Sequence, residues 1–507
     1  MSGRDEHGVT RREFVQAGMA GAALLATPGM LHAAGRDSDK AAVLAQVPRM
    51  HAENLKRLQD WIALPSIAAQ GLNYPAGAEY MARLATAAGF TGVRLVPTSG
   101  KPGVFGRLDA GARTTVGVYF MYDVKHFAPE EWSSPPLEAR LVEKPGLGTV
   151  CMGRGAVNQK GPQNSFLSAL AAFRAAGRRL PVNLVLVCEG EEEIASPHFL
   201  EVVREPGVYA ALRECTGVFM PEAGQDRDGG VQVSLGAKGV VELELVSSGE
   251  AWHRGPKHDV HSSLEASLDS PSWHLVQALN TLVEKDGHTP AVEGFFEKVR
   301  PLSDAQRRMI LDHVAKTPED SMKQSLGVEH WVHDESWADA MLRLESRPTI
   351  NIEGLVGGYT GPGGKTVLPH RAVAKIDMRL VPDQKPEDIA RKLRRHLDEQ
   401  GFADIEISPS QHFLVPSRTP IDHPAVAIIC DALRETYESE PIVFPNIGGA
   451  GPNYIFTDTL KQPCFVVPHA THDQANHAPN ENMEVEGFFR GIRTQCRVFE
   501  SLATLRP

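Results

Sequence analysis

The chain has 507 residues, too many for one ordinary core, and its 42% hydrophobic and 23% charged content marks a folded, water-soluble protein rather than a disordered one. A formal charge of −11 argues against nucleic acid as a partner, because phosphate binding needs Lys and Arg clustered on one face. The six cysteines, Cys151, Cys188, Cys215, Cys430, Cys464 and Cys496, show no metal-finger spacing and read as small buried hydrophobes, with no disulfide pairing assignable from sequence.

The N-terminus carries Thr10-Arg11-Arg12-Glu13-Phe14, then the apolar run Ala17 to Ala26 and small residues ending near Ala34. This resembles a twin-arginine export signal, so residues 1–34 are expected to be removed and the mature chain to work in the periplasm or outside the cell. No other segment approaches the roughly 18 apolar residues of a membrane span. Met50 to Trp61 and Gly77 to Ala88 have helical periodicity, while Thr115 to Phe120 and Val182 to Val187 read as buried strands. Strand and helix in alternation predict a mostly parallel sheet. Directly after the second strand comes Glu189-Gly190-Glu191-Glu192-Glu193, so acids emerge at a strand's C-terminal end, where open α/β sheets bind ligands.

The turn-rich Gly224 to Gly230 then suggests a change of domain, followed by the alternating strands Val231 to Leu235 and Val240 to Val246. Residues 230–412 close with a strand, Ala372 to Leu380, and a helix, Lys385 to Gln400, as a small α+β unit. Helix Val426 to Tyr437, strand Cys464 to Val467 and helix Val485 to Leu505 return to the α/β pattern. The expected organisation is a discontinuous catalytic domain, 42–229 and 413–507, with 230–412 inserted as a lid or dimerisation domain.

Seven segments in order carry a family likeness: Tyr122-Asp123-Val124, Trp132-Ser133-Ser134-Pro135-Pro136, Gly153-Arg154-Gly155-Ala156, Lys160-Gly161-Pro162, Glu189 to Glu193, Gly357-Gly358-Tyr359-Thr360-Gly361-Pro362, and His477-Ala478-Pro479-Asn480-Glu481. Together they resemble the M20 family of dinuclear zinc peptidases, nearest to its dipeptidase and carboxypeptidase members. The resemblance implies a mixed-sheet α/β zinc-peptidase-like catalytic domain with an α+β lid. It also implies a homodimer through that lid and a dipeptide or N-acyl amino acid as substrate.

Carried over by position, the resemblance implies Glu192 as general base, Glu193, Glu222 and His477 as metal ligands, and His261 as a lid histidine reaching a partner's active site. Arg379 takes the place of an arginine that binds the substrate carboxylate, and Gly449, Ala450 and Asn453 lie in a substrate loop where Ala450 replaces a usual serine. Two positions depart from the pattern. Met121 stands where the family has its first histidine, and Asn158 stands where it has the carboxylate that bridges both metals.

A thioether is a weak ligand for zinc beside oxygen donors, and a neutral amide lacks the charge that holds two cations together. The expectation is therefore one divalent ion, zinc, at Glu193, His477 and Asn158. Asp123 is left either as a replacement ligand or as an ion-pair partner of Lys125 or Arg154. His126, His198, His469 and His472 lie near the family segments and read as surface or hydrogen-bonded histidines, with a substitute imidazole for the vacant position as the alternative. Beside the hydrolase, two other functions stay open: a binding protein for a peptide or amino-acid derivative, and a metal-independent lyase, cyclase or transferase built on the same acids.

Overall fold

The computed structural model describes residues 39–224, 230–446, 449, 451–468 and 474–505. The export signal, Ala450, His469 and His472 lie outside them. In chain order the elements that build the two sheets and their covers begin with α1 (His51–Ile62), α2 (Ala76–Ala88), β1 (Thr91–Val96), β2 (Gly103–Leu108), β3 (Thr115–Met121), α3 (Lys160–Ala175), β4 (Asn183–Glu189) and β5 (Val218–Glu222). The chain then forms β6 (Gly239–Ser248), α4 (Pro271–Asn280), α5 (Asp304–Lys316), α6 (Glu319–Leu326), α7 (Trp337–Ser346), β7 (Thr349–Gly357), β8 (Arg371–Leu380), α8 (Pro386–Glu399) and β9 (Glu406–Leu414). It returns through α9 (Pro424–Tyr437), β10 (Cys464–Pro468) and α10 (Val485–Leu502).

The first sheet has six strands in the order β1-β2-β4-β3-β5-β10. The pairs β4/β3, β3/β5 and β5/β10 are parallel, and β1/β2 and β2/β4 are antiparallel. The sheet is thus mixed, with the parallel portion where the apolar strands lie. Polar and apolar residues do not alternate along β4 because both faces of the sheet are covered: Leu184, Leu186 and Cys188 pack on one side with α3 residues Phe166 and Leu170, and Val185 and Val187 on the other with Phe199 and Val202. α3 is buried along nearly its whole length, and Phe166 and Phe173 stack edge-on against Phe499 of α10.

The second sheet is antiparallel, in the order β7-β8-β6-β9. Its inner face packs Leu243, Leu245, Ile376 and Met378 against Leu275 and Leu279 of α4 and Leu393 and Leu397 of α8. Between α4 and β7 the chain adds α5, α6 and α7, which the sequence reading did not anticipate; they form a small cluster of their own around Ile310, Trp337, Met341 and Leu342. All six cysteines are free, and all but Cys430 are buried. Among the described residues no helix is long and apolar enough to cross a membrane.

Candidate active site

The parallel strands β4, β3, β5 and β10 deliver Glu189, Met121, Glu222 and Pro468 to one edge of the first sheet. Beyond β4 the chain turns at Gly190, where a Cβ would meet the Tyr122 ring at 2.2 Å, so only glycine lets the acids pass this close to β3. Glu192 to Ile194 then form one 3₁₀ turn. Asp123 fixes that turn: its two carboxylate oxygens accept the backbone N–H groups of Glu192 at 3.3 Å and Glu193 at 3.1 Å. Glu189 is held below it, its Oε1 receiving the Tyr119 and Ser196 hydroxyls at 2.8 Å each.

Three side chains converge on one point. Asn158 Nδ2 lies 2.8 Å from Glu193 Oε1 and 2.7 Å from His477 Nε2, and His477 Nε2 lies 3.1 Å from Glu193 Oε2. Lys125 adds a fourth contact, its Nζ 3.7 Å from Glu193 Oε2 and donating to the Glu193 carbonyl at 3.0 Å. Behind them a buried ion pair ties the two loops that carry Asn158 and His477. Arg154 Nη1 donates to Glu481 Oε2 at 2.7 Å, Glu481 Oε1 accepts the Val157 and Asn158 N–H groups at 3.0 Å, and Arg154 Nη2 donates to the His477 and Ala478 carbonyls.

So many acids in one enclosed place resist ionisation. Burial, reinforced by the charge of Glu193, pushes Asp123 up to about 8. Burial pushes Glu222 to about 7 and, with Glu193 and Asp123 beside it, holds Glu192 well above the ordinary carboxylate range. Glu189 is raised in the same way, by burial first and Asp123 second.

Paired cations do not suit these residues. Among the described residues no three His, Cys, Asp or Glu side chains gather so as to hold a metal ion. On the Met121 side, Asp123 is committed to the turn and the Met121 thioether is buried in the core, which among the described residues leaves Glu222 as the one good donor. A single cation does suit the other side, where Glu193 and His477 already meet. Asn158 presents its N–H₂ to both, and exchanging amide nitrogen for oxygen would turn the same side chain into a third donor.

The structure thus brings together Glu192, Glu193, Asn158, His477 and Asp123, with Glu222 near enough to act on Glu192. Asp123 corrects one expectation: it pairs with neither Lys125 nor Arg154, because those cations are taken by Glu193 and Glu481, and it binds backbone instead. His126 is exposed and His198 pairs with Glu191 at 2.8 Å. Arg379 reaches Asp377 on its own strand at 2.6 Å, and Asn453 is buried with its amide 3.8 Å from the Cys464 sulfur. Gly449 accepts the Lys238 N–H. His261 is exposed between β6 and α4, bonded to Ser263 and Thr366, and among the described residues no contact joins it to the Glu193 cluster of its own chain. Sequence reading named Lys125 and Arg154 only as partners for Asp123; that Lys125 meets Glu193 and that Arg154 with Glu481 forms a brace was not anticipated, and the one signal for the brace was that both residues fall inside family segments.

Fold and site together define a peptidase scaffold whose acids end the parallel strands, and residues 121–501 match the peptidase family M20/M25/M40. The Cys-Gly metallodipeptidase dug1 of Schizosaccharomyces pombe is 26% identical over 410 residues, covering 78% of this chain and 81% of that protein. The Beta-Ala-His dipeptidase of Homo sapiens is 26% identical over 374 residues, covering 70% and 68%. Among solved structures, the M20 family metallo-carboxypeptidase Sso-CP2 from Sulfolobus solfataricus superposes with a TM-score of 0.81 at 30% identity, covering 89% of this chain and all of that one. The chain belongs to the peptidase family M20/M25/M40 and is a hydrolase of M20 type.

Proposed function

We propose that the chain hydrolyses a small amide, a dipeptide or an N-acyl amino acid, with Glu192 as general base and a single divalent cation, zinc, between Glu193, His477 and Asn158. The observation that carries this reading is the placing of Glu192. It sits half-buried on a turn clamped by Asp123, next to the Glu193–His477–Asn158 cluster, with its carboxyl raised toward the range in which a base can take a proton from water and return it to a leaving amine. A bound cation would supply the Lewis acidity that polarises a carbonyl and eases deprotonation of water. Two relatives are named for the dipeptides Cys-Gly and Beta-Ala-His, which supports a substrate of that size.

Substrate orientation falls to Arg379, whose planar fork suits a carboxylate, and to the Gly449–Asn453 loop. His261 acts across copies, a reading supported by its exposure and by its bonds to Ser263 and Thr366 rather than to its own cluster. A second copy is supported by an apolar strip on the lid, where edge strand β7 exposes Ile352, Leu355 and Val356 and its end approaches α4 beside the exposed Trp273. The twin-arginine pattern at residues 10–34 assigns the work to the periplasm or beyond, with the site assembled before export.

A second reading has one observation in its favour. Glu193 already receives contacts from Asn158, His477 and Lys125, so its charge is met without a cation, as a metal-independent acid/base enzyme would require. Glu192→Gln tests the shared step: dipeptide turnover is lost while calorimetry still detects substrate binding. Retained turnover removes Glu192 from the mechanism.

A further inference from the structure

A cavity of about 450 Å³ opens between α5, α7 and the segment before them, well separated in sequence from the acid cluster. Its apolar wall includes Phe296 and Leu342, and four guanidiniums line it: Arg300, Arg307, Arg343 and Arg347. Two of these are committed, Arg300 to Asp383 and Arg343 in a fork to Glu335 at 2.7 to 3.0 Å. The other two, Arg307 and Arg347, make no ion pair or side-chain hydrogen bond that the described residues show. Glu335 and Asp339 are the acids in the lining and Asp383 neutralises Arg300, so four guanidiniums meet three carboxylates and the cavity keeps a balance of +1 on a chain of net charge −11.

The guanidiniums also spring from fixed backbone. α5 starts in a capping box between Ser303 and Gln306, and α7 starts under the Ser336 hydroxyl. The Arg347 carbonyl accepts the buried Lys238 ammonium at 2.9 Å. A second cavity of about 230 Å³ adjoins, sharing Phe296, Arg343 and Arg347, so an occupant has room for a body as well as a charged end. Two exposed, unpaired arginines on fixed backbone beside an apolar wall suit a ligand that is anionic at one end and apolar at the other.

We propose that this cavity is a binding site for a small carboxylate with an apolar body, its carboxylate taken by Arg307 and Arg347 and its body laid against Phe296 and Leu342. Phenylacetate is the probe, titrated calorimetrically into the full chain beside inorganic phosphate. The expected result is saturable binding of phenylacetate that Arg307→Met with Arg347→Met weakens roughly tenfold or more, with dipeptide turnover in the absence of probe unchanged. Ser346→Trp, at a half-buried lining position outside the Ile310–Trp337–Met341–Leu342 core, fills the cavity without altering charge and should abolish binding as well, and it serves where the arginine variant does not fold. Phenylacetate affinity that survives both changes overturns the proposal. So does phosphate binding as tightly as phenylacetate, since that would reduce the cavity to an oxyanion patch.

Discussion

Arg154 and Glu481, 327 residues apart in the chain, meet at 2.7 Å with side chains 2% and 0% exposed, and each holds one of the loops that form the Glu193 cluster. Glu481 binds the backbone under Asn158, and Arg154 binds the carbonyls at and after His477. Breaking such a pair leaves a charge buried alone. Glu481→Gln should therefore cost about 3–5 kcal/mol of stability. Urea unfolding checks this, and a variant as stable as the parent would show that the pair is not what joins the loops.

The raised carboxyls make stability depend on pH. Asp123 titrates at about 8 and Glu222 at about 7 in the folded chain, both well above an unfolded carboxylate. Between the unfolded and folded values the native state keeps protons that the unfolded chain has released, so stability falls as pH rises. Lys160, lowered by burial to about 7, opposes this only above that value, where the unfolded chain binds the extra proton. In chelator, the urea midpoint should drop from about pH 5 to about pH 7, and Glu222→Gln should shrink the drop. A midpoint that rises over this interval would contradict the burial of these groups.

Restoring the two departures should restore the second cation. Met121→His returns an imidazole beside Glu222, and Asn158→Asp returns an anionic bridge. The double variant should gain one metal ion per chain over the parent. No gain would mean that something other than these two side chains closes the second position.

His261 should be needed in trans. His261→Ala and Glu192→Gln are each expected to lose dipeptide turnover as pure proteins, and mixtures refolded together should recover activity through pairs that combine one intact site with one intact lid. Mixtures as inactive as their components would confine His261 to a structural part in its own lid.

The parallel part of the sheet was legible because β3, β4 and β10 are continuous apolar runs, and the acids after Val187 could be placed at a strand end from that alone; β1 and β2, interrupted by Arg94 and Arg107, were not read as strands. The mutual arrangement was not. Asp123 stands two residues beyond a strand in the sequence, yet what it binds is set by a turn some seventy residues later folding back over β3. The Lys125–Glu193 contact has the same long-range origin. Helix α5 escaped because, of its 13 residues, only Gln306, Ile310 and His313 are buried, and α6 because none of its described side chains is buried, so no apolar stripe betrays either, although Ser303 with Gln306 is a capping signal that sequence does contain.

The central claim is that Met121 and Asn158 leave room for one cation where the family resemblance implies two. Elemental analysis of protein purified without chelator tests it directly: one equivalent of zinc per chain is expected, lost on His477→Ala. Two tightly held equivalents in the unaltered chain would contradict it.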